Sequence, residues 1–508
     1  MRLVFCSLCV IILSVFKAGG QNNTHTTNER TASYLLKINN YLSFEDYSTA
    51  SLLFSPYWNI ASAEIKHNYR EESRAVLPQI GDGLNEGEFR AETKMKTGKN
   101  TAVSGGASYQ RGKIKNVIWN TTSDYLLLYP HVMADSVGGH LDKEQYSFYG
   151  KMAKSRNNFV YGIDCAYRAL HEYRQVDPRP SNIVSDFSFG GSAGFLRNSH
   201  IFSITGRYRK YHQSQDIEFA NPKGANTTEF FFTGLGGHFR RFAGTTSFSN
   251  TRYRGHGITL SLLIQPVNSQ GFSMGIKYDL LNTIRHLRNQ NEAPVTELLV
   301  QKLSASLSYT KELGKLSFAG QARGEYELRQ GTENIIDNVS TGSFRNLLGM
   351  TMYRNHIMIA EANGCLQYKS GHGIFSVTPS IGLNYSSSYH LFPSRKMGYL
   401  LSNAGMEASF LHYDNNWLTE INIGASRLFS LEKTIELPAE HTLPKIYAFY
   451  QDLYNNFTDK RSLLKLSGRL QRGIKNDMAI YVKSETSLLL YDKKGRSFAH
   501  ILSLGLVF

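Results

Sequence analysis

The sequence predicts an all-β protein, a transmembrane antiparallel up-and-down β-barrel of about 20 strands, with roughly 16 to 22 tolerable at ~10 residues per crossing. Three observations predict it. Apolar and polar residues alternate with a period of two over most of the chain, short turn signals separate the alternating runs, and the last run ends on the aromatic Phe508. The mean hydropathy of −0.33 would suit a soluble protein. That average conceals the pattern, because a barrel strand sets lipid-facing apolar residues against lumen-facing polar ones. Beyond the N-terminal stretch there is no run of about 18 apolar residues, and only helices and closed barrels satisfy every backbone group in lipid.

Taken in order, residues 1–20 read as a signal peptide. Arg2 precedes an apolar run over 3–16, and Ala18-Gly19-Gly20 supplies the small residues a signal peptidase accepts, leaving Gln21 as the first mature residue. The run is about 14 residues, shorter than the ~20 of a membrane-crossing helix, so it is expected to be removed and the protein exported. Cys9 lies inside the run with no small residue just before it, which argues against lipidation. Residues 21–57 are polar and rich in Asn, Thr and Ser, with a short amphipathic stretch around 34–41. They are expected to form a periplasmic lead-in or a plug, and residues 58–508 the barrel.

Within the barrel region the alternation is clearest at 374–385, where Phe375, Val377, Ile381, Leu383 and Tyr385 alternate with Ser376, Thr378, Ser380, Gly382 and Asn384. Pro379 falls on the apolar side of this run and suggests a bulge. Ile258, Leu260, Leu262 and Ile264 repeat the pattern, as do Phe272, Met274, Ile276 and Tyr278, and Leu303, Ala305, Leu307 and Tyr309. A helix would space such residues by three and four. Turns are expected at Gly98-Lys99-Asn100, Arg156-Asn157-Asn158, Arg197-Asn198-Ser199, Asn268-Ser269-Gln270, Arg354-Asn355, Asp414-Asn415-Asn416 and Lys475-Asn476-Asp477. Longer connections are expected over 113–144, 176–183, 213–228, 284–296, 330–343 and 432–445. By the usual asymmetry, short turns face the periplasm and long connections face outward. Residues 229–255 are ambiguous, since Phe230-Phe231-Phe232 could be a strand, a loop anchor or part of an aromatic girdle.

Composition favours a closed sheet, with 12 Pro against 43 Gly, 30 Tyr and 29 Phe. Removing Arg2 and Lys17 with the signal peptide lowers Lys+Arg from 56 to 54 against 41 acids, so the charge falls from +15 to +13. The basic residues are spread through the chain without a Lys/Arg tract, which argues against nucleic acid and leaves acidic lipid or anionic solutes. Of the cysteines, Cys165 and Cys365 survive processing and read as free thiols or packing residues.

No active site is evident. A surface phospholipase would need a correctly spaced His and Ser nucleophile, and Ser247 to Arg252 with His238 or His256 lacks that spacing. His131, His140, His171 and His212 read as loop or girdle residues rather than ligands. Gly234-Leu235-Gly236-Gly237 and Gly190-Gly191-Ser192-Ala193-Gly194 lack the Lys-Ser/Thr ending of a phosphate loop, so small residues relieving crowding in a curved sheet fit better. Strand parity instead directs a set of charges inward: Arg207, Arg209, Lys277, Arg323, Glu325, Lys465, Arg469, Lys483 and Glu485. They could line a polar pore favouring anions, or pair across the lumen and hold a closed barrel together.

The leader ending near Gly20, the polar lead-in, the Gly- and Tyr-rich body and the terminal Ile501-Leu502-Ser503-Leu504-Gly505-Leu506-Val507-Phe508 resemble the outer-membrane β-barrel proteins of unknown function of the Bacteroidota type. The resemblance covers essentially the whole mature chain. It implies a bacterial outer-membrane location amid lipid and lipopolysaccharide, with Leu502, Leu504, Leu506 and Phe508 as the barrel-closing signal read by the insertion machinery. Some such barrels are similar to accessory components of TonB-dependent uptake systems, which makes a TonB-dependent transporter or a surface lipoprotein a candidate partner. The chain lacks an evident separate plug domain, which argues against a self-sufficient active transporter. The expected function is a pore or an accessory partner in an uptake or surface assembly, with no catalysis, cofactor or metal. Its rivals are a lipid-acting enzyme and a filled-lumen scaffold.

Overall fold

The computed structural model describes residues 25–56, 59–98, 100–221, 229–239, 250–288, 291–337, 346–475, 477–493 and 495–508. The expected signal peptide and the segment 240–249, with Ser247 and Ser249, lie outside them. In chain order the strands begin with β1 (Ile60–Glu72), β2 (Gly83–Lys96), β3 (Thr101–Val117), β4 (Met133–Ala134), β5 (Gly139–Arg156), β6 (Phe159–Tyr173) and β7 (Arg179–Arg197). They continue with β8 (His200–Glu218), β9 (Phe230–Gly234), β10 (Gly237–Phe239), β11 (Thr251–Pro266), β12 (Gly271–Leu287), β13 (Ala293–Leu313) and β14 (Leu316–Ile336). The last seven are β15 (Asn346–Ser370), β16 (Gly373–His390), β17 (Arg395–Tyr413), β18 (Trp417–Glu436), β19 (Arg461–Lys475), β20 (Met478–Tyr491) and β21 (Arg496–Val507). Among the described residues three α-helices accompany them, α1 (Thr27–Leu35), α2 (Tyr125–Leu128) and α3 (Pro444–Thr458).

Among the described residues, 18 strands form one antiparallel sheet, and β1 closes it by pairing with both β2 and β21. The closing ladder runs from Ser62↔Val507 to Glu72↔Ser497, and Ala61 and Phe508 exchange backbone hydrogen bonds at 3.2 and 2.8 Å. An outer-membrane-type barrel of even strand number is therefore the architecture, within the expected range. The alternation has a direct physical reading: Ile258, Leu260, Leu262, Leu502 and Leu504 stand exposed on the outside while Ser261, Ser273 and Ser503 are buried toward the interior. Such a surface is stable only against lipid.

Six of the seven expected turns connect strands at one end of the barrel, the end where β1 starts and β21 stops. The seventh is wrong. Arg354 and Asn355 lie inside β15, whose 25 residues continue past the bilayer, and Asn355 Oδ1 accepts a hydrogen bond from Ser386 Oγ on β16 at 3.1 Å. Asn favours turns, but here its side chain is engaged across the ladder. Turns at Gly314-Lys315 and Gly371-His372, where both glycines have positive φ, were not anticipated.

Pro379 also departs from expectation. The β15–β16 ladder skips Gly364 and Cys365, yet Asn363↔Ser380 and Leu366↔Val377 keep one register, so no residue is inserted and there is no bulge. Proline simply removes a donor there. The Gly364 carbonyl accepts the Tyr41 hydroxyl at 2.7 Å instead.

The ambiguous aromatic run becomes β9, part of a three-stranded sheet with β4 and β10. That sheet packs inside the barrel mouth and adds no strand to the 18 of the wall.

Candidate functional site in the barrel lumen

The interior is occupied from both ends. At the short-turn end, residues 25–54 run along the inner wall. Helix α1 starts with a capping box, in which the Thr26 side chain accepts from the Glu29 amide while the Glu29 carboxylate accepts from the Thr26 amide. Asn28 and Thr31 meet Gln471 of β19, whose Nε2 donates at 2.9 and 3.1 Å. Lys37 bonds Glu407 of β17 at 2.8 Å. Ser308 of β13 donates to the Tyr41 carbonyl at 2.8 Å, and Gln265 of β11 donates to the Leu42 carbonyl at 3.0 Å. Glu45 is held by Lys94 of β2 and, at 3.6 Å, by Lys151 of β5. Burial opposes ionisation of Glu45, but the two ammonium groups outweigh it and hold the carboxyl below the ordinary range. Thr49 donates to Asp164 of β6, which is paired at 3.0 Å with Arg207 of β8. Arg207 also donates to the Asp46 carbonyl at 2.8 Å. Small apolar contacts punctuate this belt: Ala32 with Leu411 and Leu418, Ile38 with Ala319, and Leu52 with Val160 and Ile201.

At the other end the long connections fold inward. The connection between β3 and β5, carrying α2 and β4, packs with β9 and α3 in a cluster of Tyr125, Leu128, Val132, Phe230, Phe232, Ile446 and Tyr450. Trp119 stacks edge-on to Phe230 at 5.4 Å, and Tyr129 meets Tyr353 of β15 at 5.8 Å. Gly234-Leu235-Gly236-Gly237 is the β9–β10 turn rather than part of a curved sheet. A Cβ on Gly234 would fall 2.4 Å from the Tyr353 ring, and one on Gly236 would fall 2.9 Å from Ile446. The second glycine-rich run does relieve crowding, since a Cβ on Gly190 would collide with Arg207 at 2.5 Å. The mouth is tied to the wall by a buried ion pair, Arg174 Nη2 to Asp135 Oδ2 at 2.5 Å, and by Arg168 to Asp124 at 2.6 Å. His131 lies in this cap, where burial and the neighbouring Arg285 push its pKa well below the usual imidazole value.

The inward charges anticipated from parity separate into groups. Arg207 is locked to Asp164 and the belt, and Arg209 to Asp186 at 2.8 Å in a chain that continues through Arg168 to Asp124. Lys277 sits 5.7 Å from the Tyr47 ring centre. Arg323 lies within electrostatic reach of Tyr41 and Tyr47, and Glu325 pairs with Lys302 at 2.5 Å. Arg469 stacks at 3.8 Å on Tyr481 and donates to Gln471 at 2.6 Å, while Lys483 and Glu485 pair with each other. Arg469, Lys483 and Glu485 line a cavity of about 700 Å3 between the belt and β1, β2, β20 and β21. Lys465 lines a neighbouring one of about 570 Å3 with Glu407 and Glu420. Sequence reading missed Asp164 and Asp186, which neutralise Arg207 and Arg209, and also Asp135 and Glu45, which pair with Arg174 and with Lys94 and Lys151. The signal for Asp164 and Asp186 was their lumen parity; for Asp135 and Glu45, on connecting segments, there was none.

Cys165 and Cys365 are both free. His256 is bonded to the Tyr208 hydroxyl at 2.6 Å. Among the described residues, no group of three or more His, Cys, Asp or Glu could hold a metal ion.

The chain matches none of the curated proteins with which it was compared. Among solved structures it is similar to the ferric yersiniabactin uptake receptor FyuA from Yersinia pestis at 9% identity, covering 89% of this chain and 80% of that one with a TM-score of 0.39. It is also similar to the siderophore receptor PirA from Acinetobacter baumannii at 8% identity, covering 88% and 80% with a TM-score of 0.38. Residues 50–508, which take in the whole barrel and both inward-folded strands and loops of its mouth, match a family of unknown function, DUF6850, and the chain belongs to it.

Proposed function

We propose that this protein is an outer-membrane barrel whose lumen is closed at both ends, working within an uptake or surface assembly rather than as an open diffusion pore. The observation that carries the reading is the double closure. A barrel of 18 strands is wide enough to hold a water-filled channel unless something fills it. Here the belt over 25–54 serves as the plug at the periplasmic end, and the cap of α2, β4, β9, β10 and α3 closes the outer end. The cavity between the belt and the wall is lined by both signs of charge, with Glu45, Glu64 and Glu88 among Lys66, Arg90 and Lys94. Such a balanced lining supports structural pairing over anion selectivity.

The outward band meets lipid and lipopolysaccharide, and the exposed Leu502 and Leu504 beside Leu506 and Phe508 suit recognition of β21 by the insertion machinery. A TonB-dependent transporter or surface lipoprotein is the partner class proposed, docking through the long connections. Single-channel recording of the purified protein in planar bilayers tests the closure. Silence is expected from the full chain and from a chain lacking 25–54, because the cap remains; removal of both 25–54 and 119–134 should give steady current. Steady conductance from the full chain would overturn the reading in favour of a pore.

A further inference from the structure

A third cavity, of about 630 Å3, opens at the outer mouth between the β9–β10 hairpin, the β16–β17 turn and the turn at Ala439–His441. Nothing in the closure of the lumen requires it. Its floor holds Arg395, which is 3% exposed. Among the described residues no carboxylate lies within ion-pair distance of this guanidinium, and Glu333, which also lines the cavity, acts on it only from farther off. It donates only to the Pro393 carbonyl at 3.4 Å and the His441 carbonyl at 3.2 Å, and its Nε is unsatisfied. A guanidinium removed from water without an anion is destabilising, and it presents the planar fork that binds oxyanions bidentately.

That fork lines the cavity, and its neighbours are otherwise engaged. The nearby acid, Glu333, is engaged by His390 Nε2 at 3.2 Å, while His390 Nδ1 has no hydrogen-bond partner. The Thr233 hydroxyl also lines the cavity, 3.5 Å from the same imidazole. At Gly237 a Cβ would come within 3.3 Å of Arg395 Nη1, so any side chain there would crowd the guanidinium. A buried unpaired cation, an unsatisfied imidazole nitrogen and a glycine clearing the approach converge on one pocket facing the outside.

We propose that this pocket is a binding site for a small oxyanion, a carboxylate or phosphate group, held by Arg395 and supported by His390 and Thr233. The group reaches it either on a free solute or on a phosphorylated sugar of the lipopolysaccharide headgroup. The site stands whether or not the lumen ever opens.

Calorimetric titration of the detergent-purified full chain with inorganic phosphate, succinate and glucosamine 1-phosphate tests it. Saturable binding is expected from at least one of the three. Phosphate or succinate would identify a free solute, and glucosamine 1-phosphate alone would identify the headgroup. Arg395→Gln should weaken that binding by at least about tenfold. Because loss of Arg395 could disturb the fold, Ala439→Trp provides a second probe: Ala439 is an exposed residue of the cavity lining outside the barrel strands, so an indole there would take up cavity space while Arg395 itself is unaltered. It should abolish binding while circular dichroism stays unchanged. Arg427→Gln, which breaks an exposed pair with Asp492 elsewhere, should bind like the parent. No binding of any of the three probes to the parent, or binding that survives both Arg395→Gln and Ala439→Trp, would overturn the proposal.

Discussion

The belt at the short-turn end and the cap at the outer end both close the lumen, but they are built differently. The belt has little interior of its own: its side chains and carbonyls reach separately to β19, β17, β13, β11, β8, β6 and β2, mostly through hydrogen bonds and ion pairs. The cap carries a core in which Phe231, Leu128, Val132, Met133 and Leu235 are almost fully buried. A typical hydrogen bond contributes a net ~0.5–1.5 kcal/mol because water competes for it, whereas a buried apolar side chain contributes about 1.5–3. The cap should therefore behave as a cooperative unit and the belt as a row of separable contacts.

Phe231→Ala is expected to have the largest effect. The ring is fully buried against Met133, Leu287 and Ile336, with Arg285 over its face at 5.7 Å, so truncation leaves a cavity and costs about 3–5 kcal/mol. Emission from Trp119, in a chain also carrying Trp58→Phe and Trp417→Phe, should report melting of the cap well below that of the parent. Cleavage of the belt by added protease should not change. If cap and belt loosen together, they are one unit and the contrast fails.

Gln471→Ala probes the belt with a smaller effect. It removes the donor to Asn28 and Thr31, and leaving those buried groups short of partners costs about 1–3 kcal/mol. Proteolysis within 25–54 should accelerate while the Trp119 signal stays as in the parent.

These differences bear on what the sequence could disclose. A lipid-facing strand writes its environment into a period of two, so Leu260, Phe375 and Leu504 were readable individually. The belt and the cap answer to partners hundreds of residues away. Tyr41 matters because Pro379 leaves a carbonyl free, and Glu45 because Lys94 and Lys151 converge on it. Neither relation has a local signature. The Thr26…Glu29 capping box was a legible helix start that went unused. Phe230-Phe231-Phe232 announced burial without saying against what, and the Arg354-Asn355 error came from weighing local turn chemistry above an unbroken alternation. At the proposed oxyanion site, Arg395 was invisible because what marks it is the lack of a carboxylate within ion-pair distance, which only the assembled mouth reveals.

Acid should act on the belt before the cap. Glu45 is held below the ordinary carboxylate value of 4.5 in the folded chain. Its unfolded form binds protons more readily, so its contribution is fully present above that value and is lost as pH falls through the lower folded one. Belt cleavage by an acid-tolerant protease should therefore rise more steeply below about pH 4.5 in the parent than in Glu45→Gln, in which the step is already lost at neutral pH. Equal pH profiles in the two chains would show that Glu45 is not the group that docks the belt.

The smallest effect is expected where sequence reasoning placed a pore lining. Lys483 and Glu485 are each about one-third exposed, at 34% and 37%, and their pair sits beside the cavity of about 700 Å3, where water screens it. Asp164 and Arg207, at 10% and 17%, are drier and also hold Thr49 and the Asp46 carbonyl. Glu485→Gln should shift stability by no more than about 0.5 kcal/mol and leave the full-length protein electrically silent. Current appearing in that variant would make this pair part of a gate. Silence would locate the closure in the contacts that bridge wall to belt and wall to cap, leaving the charges around the cavity as solvated lining.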